Sequence, residues 1–176
     1  MSSVSKGLDK VEVAVRWDPS AAGAVTHDLD VIAATYTGSG GSGTPEYVVH
    51  HGSRSPDGTI NLNRDSRTGQ GLGFDEVMVL ELDRLAERFT AVVVGVAIQQ
   101  GEGRVTFGEV ARAGYRIREG YTVLAEGEFT DVGTSTAATL ARFSRDEHGQ
   151  WRIQDGLHGF DGDEVDFVSA MGDARG

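Results

Sequence analysis

Apolar and polar residues alternate with a period of two along most of this chain, and no other feature restricts its fold as strongly. Val11, Val13, Val15 and Trp17 interleave with Glu12, Ala14 and Arg16. Successive side chains of an extended strand point to opposite faces, so this spacing buries one set and exposes the other. Val77, Val79 and Glu81 oppose Met78, Leu80 and Leu82 in the same way. Further strands are predicted over 29–36, 46–50, 59–62, 105–117, 121–129, 137–143 and 150–154. Residues 91–98 are apolar on both faces, with Val92, Val93, Val94 and Val96, as in a central strand covered on two sides. Residues 83–89 carry the one hint of helical turns. Turn chemistry falls between these segments: the glycine-serine stretch 38–43 reads as a hairpin loop, Pro56-Asp57-Gly58 as a compact turn and Glu147-His148-Gly149-Gln150 as a hairpin turn. Many short strands and no long amphipathic helix predict an all-β fold, an antiparallel β-sandwich with short helical turns.

Composition narrows the function. At 176 residues with 39% hydrophobic, the chain can bury a core in a single domain, 1–176, and its acidic tail from about 163 is expected to fray. A formal net charge of -11 counts against nucleic acid and against anionic membrane surfaces, both of which require clustered Lys and Arg. The same carboxylate excess attracts divalent cations. The absence of cysteine removes disulfides, thiolate zinc sites and cysteine nucleophiles together. No apolar run is long enough to span a bilayer, and the first residues, Met1-Ser2-Ser3-Val4-Ser5-Lys6, lack the apolar stretch of a secretion signal. A cytoplasmic location without membrane insertion is expected.

Two acidic clusters lie beside predicted strands: His27-Asp28-Leu29-Asp30, and the glycine-punctuated run from Asp65 to Glu76. Carboxylates and tightly turned backbone in one loop supply the several oxygens that hard cations need. The second run has the twelve-residue length of an EF-hand loop, but its content differs. Arg67 stands at the third position, Gly69 at the fifth and Gln70 where the glycine belongs.

Other polar residues give weaker signals. His50 and His51, as neighbours on a strand, face opposite sides, so a surface or turn role is expected. His27 is placed either to hydrogen-bond Asp28 and orient it or to serve as an ordinary loop histidine. Ser53, Ser55 and Ser66 lack the strand, sharp turn and helix of a nucleophile elbow. Trp17, Trp151, Phe107 and Tyr115 are expected in the core.

Several landmarks occur in a characteristic order: Ser5-Lys6-Gly7, Trp17-Asp18-Pro19, Asp28-Leu29-Asp30, Thr68-Gly69 with Gly71, Gly73, Asp75 and Glu76, Phe107-Gly108-Glu109-Val110, and Trp151-Arg152-Ile153 with Gly156. Together they resemble the TerD-type tellurium-resistance and stress-response family. The resemblance implies a β-sandwich, no established enzymatic reaction, and calcium bound where the aspartate triplet meets the acidic loop, with Asp28, Asp30, Asp65, Asp75 and Glu76 as side-chain ligands and backbone carbonyls around Leu29, Thr68 and Gly69 as further donors. The family loop is richer in carboxylates: this chain has Gln70, Leu72 and Phe74 at three of its acidic positions, and Arg64, Ser66 and Arg67 at others. With calcium taking about six to eight oxygens, what remains suffices for one site more readily than two. The implied role is a non-enzymatic, calcium-binding interaction module whose partners are other stress-response proteins. A metal-free module that has lost its ion, and a metal-dependent hydrolase, are the alternatives.

Overall fold

The computed structural model describes residues 7–19, 27–38, 44–64, 74–100 and 104–161. Ten strands among them form two five-stranded sheets, and every strand pair is antiparallel. The strands are β1 (Lys10–Arg16), β2 (Leu29–Thr37), β3 (Tyr47–Val49), β4 (Ile60–Arg64), β5 (Glu76–Glu81), β6 (Phe89–Ile98), β7 (Gly114–Glu119), β8 (Thr122–Glu128), β9 (Ala137–Arg145) and β10 (Trp151–Phe160). Sheet A has the order β4-β5-β1-β7-β8, and sheet B the order β10-β9-β6-β2-β3. The predicted antiparallel β-sandwich is the observed architecture. The alternation that predicted it now has a destination: Val11, Val13, Val15, Met78 and Leu80 of sheet A meet Leu29, Val31, Val92, Val94, Val96 and Phe143 of sheet B in one buried cluster.

Sheet B is apolar on its other face too. Ile32, Ala34, Tyr36, Ala91, Val93, Ala97 and Ala137 form a second buried cluster, against which Val48 and Phe160 pack. The uninterrupted apolar run of β6 is thereby explained, since β6 is the middle strand of a sheet covered on both sides. β2 and β3 pair antiparallel, in agreement with the hairpin predicted for the glycine-serine stretch, of which 39–43 lie outside the described residues.

One predicted strand is divided. Of 105–117 only the last residues are extended; Phe107–Glu109 is a 3-10 turn. Thr106 and Glu109 form a reciprocal capping box, with the Thr106 N–H donating to the Glu109 carboxylate at 2.7 Å, and this local signal overrides the β-branched content around it. A second 3-10 turn, Phe129–Val132, packs on the first through parallel Phe107 and Phe129 rings 4.5 Å apart. The two backbones come so close that a Cβ on Gly108 would sit 2.8 Å from the Gly133 carbonyl oxygen. β10 runs to Phe160, beyond the predicted 150–154, through an irregularity between Asp155 and His158. Trp17, Trp151 and Phe107 are buried as expected, and Tyr115 is half-buried.

Two polar fixtures hold the periphery. Arg145 donates to the carbonyls of Phe89 (2.7 Å), Leu85 (3.1 Å), Ala86 (3.0 Å) and Gly149 (3.1 Å), while its guanidinium lies over the Trp151 ring. Burial holds its pKa below the ordinary arginine value, with Glu87 acting in the opposite direction. Asp57 accepts from Ser55, Thr59 and the Tyr47 hydroxyl, tying the turn after β3 to the start of β4. Burial alone would raise the Asp57 pKa, but these bonds outweigh it and hold the group below its ordinary 3.8.

Arg145→Leu strips donors from four carbonyls and should cost about 2–3 kcal/mol, read as a lower denaturation midpoint. Because the folded pKa of Asp57 is depressed, its contribution to stability is present above the ordinary carboxylate pKa and lost as pH falls through the folded value. Asp57→Asn should therefore flatten the acid limb of the stability-pH curve, measured by thermal melts between about pH 2 and 5.

Candidate metal centre

The site is built where three strands share one end of the sandwich. β1 finishes there at Arg16, β2 begins at Leu29 and β5 begins at Glu76. The register Val15↔Glu76 brings β5 beside the end of β1, and the Asp75 N–H donates to the Val15 carbonyl at 2.9 Å. Glu76 shares its inward parity with Met78 and Leu80, so its carboxylate enters the interior, where it is 0% exposed. There its Oε1 accepts the N–H of Val31 in the opposite sheet at 2.7 Å. Asp28 and Asp30, two residues apart on extended backbone, leave the chain on one side.

These placements bring together oxygen atoms of Asp28, Asp30 and Glu76, all within 4.8 Å of one another. Asp30 is 1% exposed and Asp28 half-buried. Two ionised carboxylates at that spacing repel by about 3 kcal/mol at an effective dielectric near 20, so positive charge beside them is favoured. Burial adds a desolvation cost to each. A hard divalent cation relieves both, and an all-oxygen donor set is what such a cation takes. The residues present therefore fit a bound ion.

The remaining predicted positions divide. Asp75, also buried, directs Oδ2 to the Trp17 N–H at 2.8 Å, closing the end of β1, and stands outside the three-carboxylate group. Leu29 pairs with Ile98 and buries its side chain in the core. Asp65, Thr68 and Gly69 lie outside the described residues, as do Arg67, Gln70 and Leu72. Phe74 does not face the cluster. Its ring lies under the Arg116 guanidinium, 4.4 Å from centroid to Cζ, on the side of sheet A away from the core. The bond expected from His27 to Asp28 is not among those found; the His27 backbone carbonyl instead accepts the Trp17 indole N–H at 3.2 Å.

Sequence reasoning gave His50 and His51 a surface or turn role, and they stand at a turn. β3 stops at Val49, and His50 and Ser53 bridge a tight turn through paired 3.0 Å bonds. His51 at the tip of that turn brings Nε2 to 3.6 Å from Asp30 Oδ2. The signal available in the sequence was His51-Gly52, a turn pair beside a short strand.

A two-sheet antiparallel sandwich with a cluster of carboxylates at one end is the class that fold and site define. A model of the TerD domain family matches residues 1–169, so the chain belongs to the TerD domain family. The tellurium resistance protein TerD of Serratia marcescens is 26% identical over 159 residues, spanning 88% of this chain and 82% of the relative. The TerD protein of an Alcaligenes species is 26% identical over the same length and coverage. A crystal structure of a homologue of telluride resistance protein (TerD) from Streptomyces coelicolor A3(2) superposes with a TM-score of 0.93 at 47% identity, covering 96% of this chain and all of that one. That of a protein of unknown function, SAV2460, does so at 0.92 and 55% identity, covering 95% and 98%.

Glu76→Gln keeps an acceptor for the Val31 N–H and removes one of the three charges. The rise of its melting temperature on adding a divalent cation should be smaller than that of the parent, because one ligand charge is gone. An equal rise would mean that Glu76 serves the fold alone.

Proposed function

We propose that this protein is a non-enzymatic, calcium-binding stress-response protein of the tellurium-resistance type, acting in the cytoplasm as an interaction module for other stress-response proteins. The observation that carries the reading is the convergence of Asp28, Asp30 and Glu76 from two different sheets onto one buried point. Carboxylates gathered at the start of β2 and the start of β5 would hold the ion. Asp75 and, from the acidic loop, Asp65 with the carbonyls of Thr68 and Gly69 are the further donors proposed, in one site rather than two. Bound there, calcium supplies positive charge that neutralises the corner and fastens sheet A to sheet B. It also gives the acidic loop a fixed shape to present to a partner. The named relatives being tellurium resistance proteins supports the stress-response side of the reading.

A metal-free module is the second reading, and the stacking of Phe74 under Arg116 favours it, because a position that is acidic in the resembling family loop here serves packing instead. Calcium titration separates the two. Calcium at a hundredfold excess over its dissociation constant should stabilise the fold by about 2.7 kcal/mol, seen as a raised melting temperature that chelator reverses. Asp30→Asn should weaken the response at least tenfold in calcium concentration. A melting temperature indifferent to millimolar calcium would establish the metal-free reading.

A further inference from the structure

We propose that β8, the outermost strand of sheet A on its β7 side among the described residues, takes up a basic extended segment of a partner protein as an added strand. Tyr121 and Val123 anchor that segment, and Glu126 and Glu128 match its charge. This rests on the interaction-module reading above and gives it a surface and a partner chemistry; the carboxylate corner has no part in it. An edge strand presents a row of backbone donors and acceptors that a further chain can extend. β8 is held firmly as a template. It pairs with β7 from Glu119↔Thr122 to Gly114↔Glu128, and Leu124 and Ala125 pack against the core. The two large hydrophobic residues that stand exposed among the described residues both lie here, Tyr121 at 102% and Val123 at 47%. Tyr121 sits in the two-residue turn between β7 and β8, where Gly120 takes a φ of +59°. Exposed aromatic and apolar groups gathered on a strand edge are what a binding surface uses as anchors.

The charge of this edge follows from how its neighbours turn. Arg116 stands directly across from Glu126 in the β7–β8 register, the position from which an ion pair would form. Its guanidinium lies instead over the Phe74 ring at 4.4 Å, and Arg118 reaches Glu12 of β1 at 3.2 Å. Both arginines of β7 thus lean away from β8, and Glu126 and Glu128 form no ion pair among the described residues. The two carboxylates are exposed on alternate residues, about 7 Å apart, which is the spacing of side chains along one face of an added strand. Lys or Arg at alternate positions, with apolar residues between them, is the complement. A second copy of this chain is a poor occupant, because it would bring its own Glu126 and Glu128 to a molecule with a net charge of -11.

The test is fluorescence anisotropy of end-capped seven-residue peptides with the full chain, in calcium and in chelator. One peptide alternates lysine with valine, a second alternates glutamate with valine, and two more are the lysine peptide N-methylated on its odd or on its even residues. At low salt the lysine peptide should bind at least about tenfold more tightly than the glutamate peptide, and its affinity should fall as salt rises. One N-methylated form should lose binding and the other keep it, since an added strand bonds along one of its edges only. Glu126→Lys with Glu128→Lys should remove the preference for lysine. Glu87→Lys with Glu147→Lys, the same charge change in the loops that precede β6 and β10, should keep it. Tyr121→Ala should weaken binding about tenfold. Equal loss in the two double variants, or equal binding by the two N-methylated forms, would reduce the effect to attraction by net charge and overturn the inference. A dimer of the parent in sedimentation that Tyr121→Ala dissolves would give the edge to a second copy and overturn it too. Failure of the lysine peptide to bind, with calcium still raising the melting temperature, would remove this edge and leave the reading above in place.

Discussion

A hydrogen bond from the Val31 amide to the Glu76 carboxylate ties the two sheets together at the end of the sandwich where the acidic groups collect. It is charge-assisted and wholly shielded from water, the setting in which such a bond contributes about 1.5–3 kcal/mol and in which its loss leaves a costly orphan. Hydrophobic packing between the sheets is non-directional and sets no relative position of β2 and β5 along the strands. This bond does. With Glu76 fixed against Val31, the neighbouring Asp30 and Asp28 must lie close to the same carboxylate, and Asp75, next along the chain, must lie at the end of β1. The position of every described acidic group in the corner follows from that one contact.

The corner also shows how a carboxylate cluster and a fold can be built from the same atoms. Glu76 is at once an acceptor that aligns two sheets and one of three charges that disfavour each other. The cluster lies at the end of the strands, where half-buried Asp28 keeps some contact with solvent. Moved a few residues into the core, among Val94, Leu80 and Val13, the same cluster would have no water to share its field and no path for an ion.

How much of this could be read from the sequence differs by element. β1, β5 and β6 were legible because burial imposes its own period, two for strands with one covered face and none for a strand with both faces covered. The Asp28-Leu29-Asp30 triplet was legible as a site because carboxylates on alternate residues of a strand must converge on one side. The partnership of Asp30 with Glu76 was not, since it depends on how two sheets stack, which no local pattern encodes; only the family resemblance pointed to it. The strand predicted over 105–117 failed where a capping box, Thr106 with Glu109, outcompeted β-propensity. His51 was read as a surface or turn residue, and the turn after Val49 agrees; its approach to Asp30 was not legible, because it depends on how that turn folds back beside β2. Phe74 illustrates a substitution whose chemistry, a lost carboxylate, was visible, while its new contact with Arg116 was not.

Sheet B is enclosed on both faces, and sheet A carries its charged pairs, such as Glu12 with Arg118, on an open one. This asymmetry divides the molecule into a half that cannot change and a half that can. A polar substitution along 91–98 of β6 has no outward direction in which to point, so variation there is confined to exchanges among small and β-branched apolar residues. The outer surface of sheet A and its last strand, where Tyr121 and Val123 already stand in solvent, is under no such restriction. Diversification among proteins of this architecture is therefore channelled to one side, and surfaces that distinguish one copy from another should be sought on the β7–β8 flank rather than around the middle of sheet B.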